Sequence, residues 1–190
     1  MLSAVDPLPQ RPRRIVIAGV SGTGKTTLAR RVAAITGVPH TEIDALFHGA
    51  GWTPRPEFLG DVRALVAGDT WITEWQYGDA RPLIAERMDL LVWLDLPFWR
   101  VTFPRVVRRT VRRRVRREHL WNGNIEPAFH TILRDPEHIV RWAVRTRHTY
   151  RDRLSALAAE RPDLVIVRLR TRSDVERWLR GPVAAAVAGG

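Results

Sequence analysis

The chain has 190 residues, 45% of them hydrophobic, which is typical of a globular protein and predicts a single domain. It has no cysteine, which excludes disulfide bonds, a thiol nucleophile and a thiolate metal site. Its net charge of +11 favours polyanionic partners such as nucleotides, nucleic acid or an anionic membrane surface, while no apolar run is long enough to span a membrane.

Residues 1–13 contain three prolines and no apolar signal-peptide core, so we expect a disordered leader rather than a secretion signal. We expect residues 14–181 to form the single domain and the small residues of 182–190 to form a flexible tail. The absence of cysteine is also typical of proteins in the reducing cytoplasm, which is the location that we predict.

The first structured segment is predicted to be a strand, a glycine-rich loop and a helix. Arg14–Ala18 is rich in β-branched residues, as in a buried parallel strand, and the apolar residues of 27–35 recur at helical spacing. Between them, Gly19–Thr26 reads GVSGTGKT and matches the pattern G-x-x-x-x-G-K-[ST] at every fixed position. A strand before this pattern and a helix after it are the context that indicates a phosphate-binding P-loop.

The residues of this loop predict a site for a nucleoside triphosphate and Mg²⁺. Glycines let the backbone curl so that its amides and the start of the helix surround a phosphate. Lys25 is the only lysine beside 30 arginines, and we expect it to bridge the β- and γ-phosphates while the Thr26 hydroxyl ligates Mg²⁺. The predicted cofactor-binding residues of the loop are Gly19, Ser21, Gly22, Thr23, Gly24, Lys25, Thr26 and Thr27.

The next segment is predicted to receive the phosphoryl acceptor. His40–Asp44 is expected to form a second strand that ends in a carboxylate, which is placed to accept a proton or hydrogen bond. Residues 45–56 combine Gly, Pro and aromatic residues without a period, which is typical of an ordered binding loop. The alternatives are that Asp44 anchors the loop and that Trp52 packs in the core. The predicted acceptor residues of this segment are Asp44, His48, Trp52 and Arg55.

The rest of the chain alternates strands with helices. Further strands are predicted at Trp71–Glu74, Asp89–Asp95 and Leu164–Val167, and helices at residues 57–67, 81–87, 98–119, 137–160 and 173–179. This order predicts an α/β, three-layer P-loop NTPase fold with a five-stranded parallel sheet and helices on both faces. At the carboxyl edge of that sheet, Glu74 and Asp95 are candidates for serving Mg²⁺, with a helix cap or a salt bridge as the alternative for each.

The helix predicted from residue 98 to 119 is rich in arginine. Eight arginines lie between residues 105 and 117, and most of them follow one helical face. Three interpretations stay open: a lid that closes over ATP, a nucleic-acid-binding face, and a solvated helix surface. We take residues 105–136 as the lid region and expect Arg141, Arg145, Arg147 and Arg151 of the following helix to face the same cleft.

Taken together, these motifs resemble the adenylate-kinase-like P-loop kinases and, within them, the small proteins known as DNA topology modulation proteins. The resemblance covers about residues 14 to 180. It rests on the GVSGTGKTTLA loop, Glu42–Leu46 followed by Gly51-Trp52, Trp71–Tyr77, Leu91–Pro97, the Arg-Arg-Thr helix and Val167–Arg172.

The resemblance implies ATP and Mg²⁺ as cofactors and places strand 71–74 beside strand 14–18. It implies that Arg105 and Arg109 are lid arginines that contact phosphates, and that Arg170 and Arg172 belong to the loop that covers adenine. It also assigns Trp75 to the acceptor side. The predicted catalytic residues are then Lys25, Asp44, Glu74, Arg105 and Arg109.

One turn departs from the pattern of nucleotide kinases. Trp75-Gln76-Tyr77-Gly78 stands where these enzymes usually have Gly-Phe-Pro-Arg, so the identity of the acceptor stays open. We expect an ATP-dependent kinase that phosphorylates a small acceptor, and a nucleoside monophosphate is one candidate. The alternatives are a sugar or small-acid kinase of the same fold and a nucleic-acid-binding P-loop NTPase; a membrane partner is not expected.

Overall fold

The structure is a computed structural model that describes residues 1–125, residue 127 and residues 139–189. Its strands are β1 (Arg14–Ala18), β2 (Trp71–Glu74), β3 (Leu90–Leu94) and β4 (Val165–Leu169). They form one parallel sheet in the order β2-β1-β3-β4. The predicted neighbourhood of strands 71–74 and 14–18 is confirmed, since Ile17 of β1 pairs with Glu74 of β2.

The prediction of a fifth strand at His40–Asp44 is wrong: the sheet of the described residues has four strands. His40 forms a single parallel bridge to Ile72, and the chain then leaves the edge of the sheet. The physical reason is the carboxylate of Glu74, which is distant from this segment in the sequence. The Ile43 N–H donates to Glu74 Oε2 at 3.1 Å instead of to a strand, and a short helix begins at Ile43.

Helices and helical turns cover both faces of the sheet. The α-helices are α1 (Lys25–Thr36), α2 (Ile43–Phe47), α3 (Phe58–Ala67), α4 (Ala80–Arg87), α5 (Phe103–Val115), α6 (Ile139–Arg145), α7 (Thr149–Glu160), α8 (Arg172–Trp178) and α9 (Ala184–Ala188). Short 3₁₀ turns lie at Ala50–Trp52 and Trp121–Gly123, and π-helical turns at Phe98–Thr102 and Leu179–Val183. No helix in the described part of the chain is long and apolar enough to cross a membrane.

Two of the predicted helices differ from the structure. The long helix predicted over 137–160 is two helices, because α6 ends at Arg145 and α7 begins at Thr149. Between them, the Thr146 hydroxyl donates to the Trp142 carbonyl at 2.8 Å and so supplies a partner for the end of α6. Parts of two predicted elements lie outside the described residues. They are residues 126 and 128–136 of the predicted lid region and residues 137–138 of this helix.

The last helix begins earlier than predicted. Thr171, rather than Ser173, is its N-cap, and Thr171 and Asp174 form a reciprocal capping box. The segment from residue 181 onward also contacts the body, since Pro182 and Val183 are buried and α9 packs against α1. Helical structure therefore replaces the predicted flexible tail over most of residues 182–190.

The expected leader also has contacts with the sheet. The Leu2 N–H donates to the Ile166 carbonyl at 2.7 Å, and the Arg168 N–H donates to the Leu2 carbonyl at 2.9 Å. Ala4 is buried. These backbone bonds satisfy the open edge of β4, which otherwise exposes unpaired groups.

Side chains alternate between the two faces of the sheet and so build two hydrophobic cores. One core packs β1 and β3 against α3, α4 and α7, and its members include Val16, Leu91, Val62, Ile84 and Leu154. The other packs the opposite face against α1 and the C-terminal helices, and its members include Ile17, Val92, Leu28, Val32 and Trp178. This three-layer packing brings the loop after β1 to the carboxyl edge of the sheet.

Candidate active site

The loop between β1 and α1 is curled as the sequence predicts. Gly19, Gly22 and Gly24 have φ values of 151°, 85° and 95°, which side chains rarely allow. Gly22 is also sterically required, because a Cβ there would lie 2.5 Å from Val106 Cγ2 and 2.6 Å from the Thr102 carbonyl oxygen. Helix α5, most of which lies in the predicted lid region, therefore packs directly on the loop.

Lys25 lies inside this curled loop and is only 9% exposed. Its Nζ donates to the Gly19 carbonyl oxygen at 3.0 Å, so the ammonium folds back over the loop. Burial lowers the pKa of Lys25 to about 8, although the negative charges of Asp44 and Glu74 act to raise it and Arg109 acts to lower it further. A buried ammonium of this kind is a strong partner for an anion that enters the loop.

The Thr26 hydroxyl contacts the Glu74 carboxylate, and both were predicted as metal ligands. It donates to Glu74 Oε1 at 3.0 Å, and Glu74 is 2% exposed at the end of β2. Burial acts to raise the pKa of Glu74, but hydrogen bonds from His40, the Ile43 amide and Thr26 outweigh it, and the pKa lies below its usual range. Glu74 is therefore a carboxylate at neutral pH.

Asp95 directly follows β3, at the end of a strand as predicted, and it forms a salt bridge. Its carboxylate accepts from Arg168 Nε at 2.9 Å, and Arg168 stacks over Trp93. Asp95 follows β3 while Glu74 ends β2, and β1 lies between these strands. The structure thus gives Asp95 the salt-bridge role that was its alternative.

The described residues contain no group of three histidine, cysteine or acidic side chains that could hold a metal ion alone. Mg²⁺ usually takes one or two protein oxygens together with waters and substrate phosphates. The Thr26 hydroxyl and the Glu74 carboxylate are oxygen donors side by side, next to the glycine loop. They are the residues of this chain that would hold the ion.

Asp44 is held by the unusual turn that follows β2. Its Oδ1 accepts from Gln76 Nε2 at 2.7 Å and from the Tyr77 hydroxyl at 2.6 Å. Tyr77 has a φ of 57°, a rare backbone for an aromatic residue, and its ring stacks on Phe47 at 4.0 Å. The same hydroxyl lies 3.2 Å from His48 Nε2, so Asp44, Tyr77 and His48 form one hydrogen-bonded chain. Burial lowers the pKa of His48.

The predicted acceptor loop contacts the lid segment around residues 119–125. The Trp52 amide donates to Asn124 Oδ1 and the Trp52 indole to the Ile125 carbonyl, both at 3.1 Å. The Trp121 indole donates to Glu42 Oε2 at 2.9 Å. Arg55 contacts Asp61 of α3 at 2.9 Å, so its guanidinium is used within its own loop and helix.

The arginines that were predicted to contact phosphates or adenine have different surroundings. Arg105 donates to the Thr23 carbonyl oxygen at 3.5 Å, and burial, with Arg172 nearby, lowers its pKa. Arg109 acts electrostatically on Lys25. Arg170 and Arg172 are exposed at the start of α8.

The other predicted loop residues differ in exposure. Thr27 is exposed, and Ser21, Gly24 and Thr26 are half-buried. Thr23 is buried, and its hydroxyl donates to the Val20 carbonyl oxygen.

A second cationic region lies beside Asp44. The Arg81 guanidinium is 5.8 Å from the centre of the Trp75 ring, and burial and the charge of Arg153 both lower its pKa. Tyr150 links this region to β2, because its hydroxyl donates to the Trp75 carbonyl oxygen at 2.9 Å. Arg81 and Arg153 therefore add positive charge to this region.

Sequence reasoning missed several residues of this site. His40 was predicted to start a strand, and Gln76 and Tyr77 were used for the resemblance and as a departure from the nucleotide kinase turn, without a role in the site. The sequence signal that could have identified them is their position next to predicted strands, because the carboxyl ends of parallel strands meet at one edge of the sheet. Which carboxylate each one contacts depends on long-range pairing, and no spacing in the sequence shows that.

Comparisons with known proteins show the fold. No family model matches the chain. The cytidylate kinases of two strains of Nitratidesulfovibrio vulgaris, DP4 and Hildenborough, are 39% identical over 49 residues, which is 26% of this chain and 21% of those enzymes. The match thus spans about a fifth of the length of these relatives.

Two solved structures align over almost the whole chain. A shikimate kinase from Acinetobacter baumannii in complex with shikimate has a TM-score of 0.56 and 14% identity, covering 93% of this chain and 94% of its own. A gluconokinase from Sinorhizobium meliloti 1021 has a TM-score of 0.50 and 18% identity, covering 95% and 94%. The chain therefore has the α/β fold of the small P-loop kinases.

Proposed function

We propose that the protein is an ATP-dependent kinase that transfers the γ-phosphate of ATP to a small, negatively charged acceptor. The observation that carries the proposal is the position of Lys25, whose buried ammonium lies inside a curled glycine loop beside Thr26 and Glu74. Burial destabilises the charged form of the ammonium, and a bound triphosphate would supply a negatively charged partner for it.

Each group has a role in this scheme. The loop amides and Lys25 bind the phosphates, and Thr26 and Glu74 would hold Mg²⁺, which neutralises phosphate charge when it is bound. Arg105 and Arg109 of α5 neutralise the charge that develops during transfer. Asp44, oriented by Gln76 and Tyr77, accepts the hydrogen of the attacking group. The exposed Arg170 and Arg172 are proposed to lie against adenine.

The acceptor is proposed to carry a phosphate or carboxylate group. Arg81 lies over the Trp75 ring and Arg153 acts on it electrostatically, and both guanidinium groups stay charged at neutral pH. A nucleoside monophosphate satisfies this requirement, as the name cytidylate kinase of the sequence relatives favours. A small hydroxy acid or sugar acid also satisfies it, as the names of the two structural neighbours favour.

An acceptor screen tests this proposal. ADP release is measured with nucleoside monophosphates, hydroxy acids, sugar acids and their uncharged analogues, for the wild type and for Lys25→Met. We expect stimulation by a charged acceptor, none by its uncharged analogue, and none in the variant. Release that is as fast in Lys25→Met as in the wild type, or faster with uncharged analogues, contradicts the proposal. The cytoplasmic location stays a prediction.

A further inference from the structure

The Glu74 carboxylate has a fixed partner on each side. Its Oε1 accepts the Thr26 hydroxyl at 3.0 Å and lies 3.2 Å from His40 Nε2, while its Oε2 accepts the Ile43 amide at 3.1 Å. The side chains of His40 and Glu74 are only 6% and 3% exposed. Water therefore has little access to replace any of these bonds.

The backbone of His40 is as fixed as its ring. His40 pairs with Ile72 at the edge of the sheet, the Thr41 N–H donates to the Ile72 carbonyl at 2.9 Å, and the Ile72 N–H donates to the Pro39 carbonyl at 2.8 Å. The Thr73 hydroxyl adds a bond to the Thr41 carbonyl at 3.0 Å. The short edge pairing that replaced the predicted strand thus aims one imidazole at one carboxylate.

This arrangement has a direct consequence for the orientation of Glu74. Because a carboxylate only accepts hydrogen bonds, the His40 ring carries its hydrogen on Nε2 and donates it. A glutamate side chain rotates freely about its terminal bond unless both oxygens are held. Thr26 supplies Oε1 with one hydroxyl bond, and the His40 ring supplies a second partner from a different segment.

We propose that His40 is a positioning residue, which holds Glu74 Oε1 towards Thr26 and thereby sets how tightly the Mg²⁺–nucleotide complex binds. The inference rests on the proposed function, since it assigns a role within the same site. It predicts that His40 acts on the metal-dependent part of nucleotide affinity. The contacts of the phosphates with the glycine loop and Lys25 are not altered.

The test measures ADP binding by calorimetry, with Mg²⁺ and with EDTA, in four proteins. His40→Leu keeps most of the buried volume and removes the donor, whereas His40→Gln retains a donor on a flexible chain. Thr73→Val is the matched control, because it removes a neighbouring bond to the same edge segment without touching Glu74. Unfolding curves establish that each protein is folded, and His40→Ala replaces the leucine variant if that one does not fold.

We expect His40→Leu to weaken Mg²⁺–ADP binding by about tenfold, the size typical of one lost hydrogen bond to a charged group. Binding of ADP in EDTA should stay at the wild-type value, and His40→Gln should restore most of the loss. The proposal is overturned if the leucine variant binds Mg²⁺–ADP like the wild type. It is also overturned if affinity falls equally with and without Mg²⁺, or falls as much in Thr73→Val. A wild type that binds no ADP contradicts the proposed function instead.

Discussion

Replacing Lys25 by methionine is expected to make the nucleotide-free protein more stable. The ammonium is 9% exposed, and burial lowers its pKa from 10.5 to about 8. The folded protein therefore holds this proton less tightly than the unfolded chain does. The lowering corresponds to about 3 kcal/mol of folding free energy, at roughly 1.4 kcal/mol for each pKa unit. Methionine has a similar length and carries no charge to bury.

The pH dependence of this effect has a defined sign. Below a pH of about 8 the lysine is charged in both states, so the folded protein bears the whole cost of burial. Between about 8 and 10.5 the unfolded chain keeps a proton that the folded protein has lost, and the free energy of unfolding rises with pH. The advantage of Lys25→Met is therefore largest at neutral pH and disappears towards pH 10.5.

Urea unfolding of both proteins at pH 7 and pH 10.5, without and with saturating Mg²⁺–ATP, measures these effects. Nucleotide at 1,000 times its Kd should reverse the order, because it stabilises the wild type by about 4.1 kcal/mol and the variant has lost that binding. The reasoning is refuted if Lys25→Met is no more stable than the wild type at pH 7. It is equally refuted if the difference between the two proteins is the same at pH 10.5.

Three further outcomes follow from the geometry. Gly22→Ala should lower the free energy of unfolding by more than Gly24→Ala, because both positions have positive φ but only Gly22 faces Val106 and the Thr102 carbonyl; equal losses in urea unfolding would contradict this. Glu74→Gln should weaken Mg²⁺–ADP binding by about tenfold in calorimetry, whereas Asp95→Asn should leave it unchanged, and the reverse order would restore Asp95 as the metal ligand. Single-stranded DNA should leave the rate of ATP hydrolysis unchanged in a phosphate-release assay, whereas a nucleic-acid-dependent NTPase would be stimulated.

The parts of the fold that the sequence predicts correctly are those with local causes. The glycine loop follows from residues that are adjacent in the chain, and β1 and β3 from continuous apolar runs between breaks. The neighbourhood of β1 and β2 came from the resemblance and not from the residues themselves. These elements place Lys25 and Thr26 without any knowledge of distant contacts.

The errors arise where a distant side chain decides the local structure. His40–Asp44 has the composition of a strand, but Glu74, more than thirty residues later, takes the Ile43 amide and starts a helix. Asp95 looks like a metal ligand at the end of a strand, but Arg168 on the adjacent strand takes its carboxylate. In both cases the two partners are far apart in the sequence, so only the tertiary fold decides that they meet.

The central claim is that the curled loop around Lys25 binds the phosphate chain of a nucleotide. Its most direct test is the affinity of the wild type for adenosine, ADP and ATP in Mg²⁺, measured by calorimetry beside Lys25→Met. The account predicts that affinity rises steeply from adenosine to ADP and ATP, and that the variant loses the rise. Adenosine that binds the wild type as tightly as ATP, or ATP that binds both proteins equally, would contradict it.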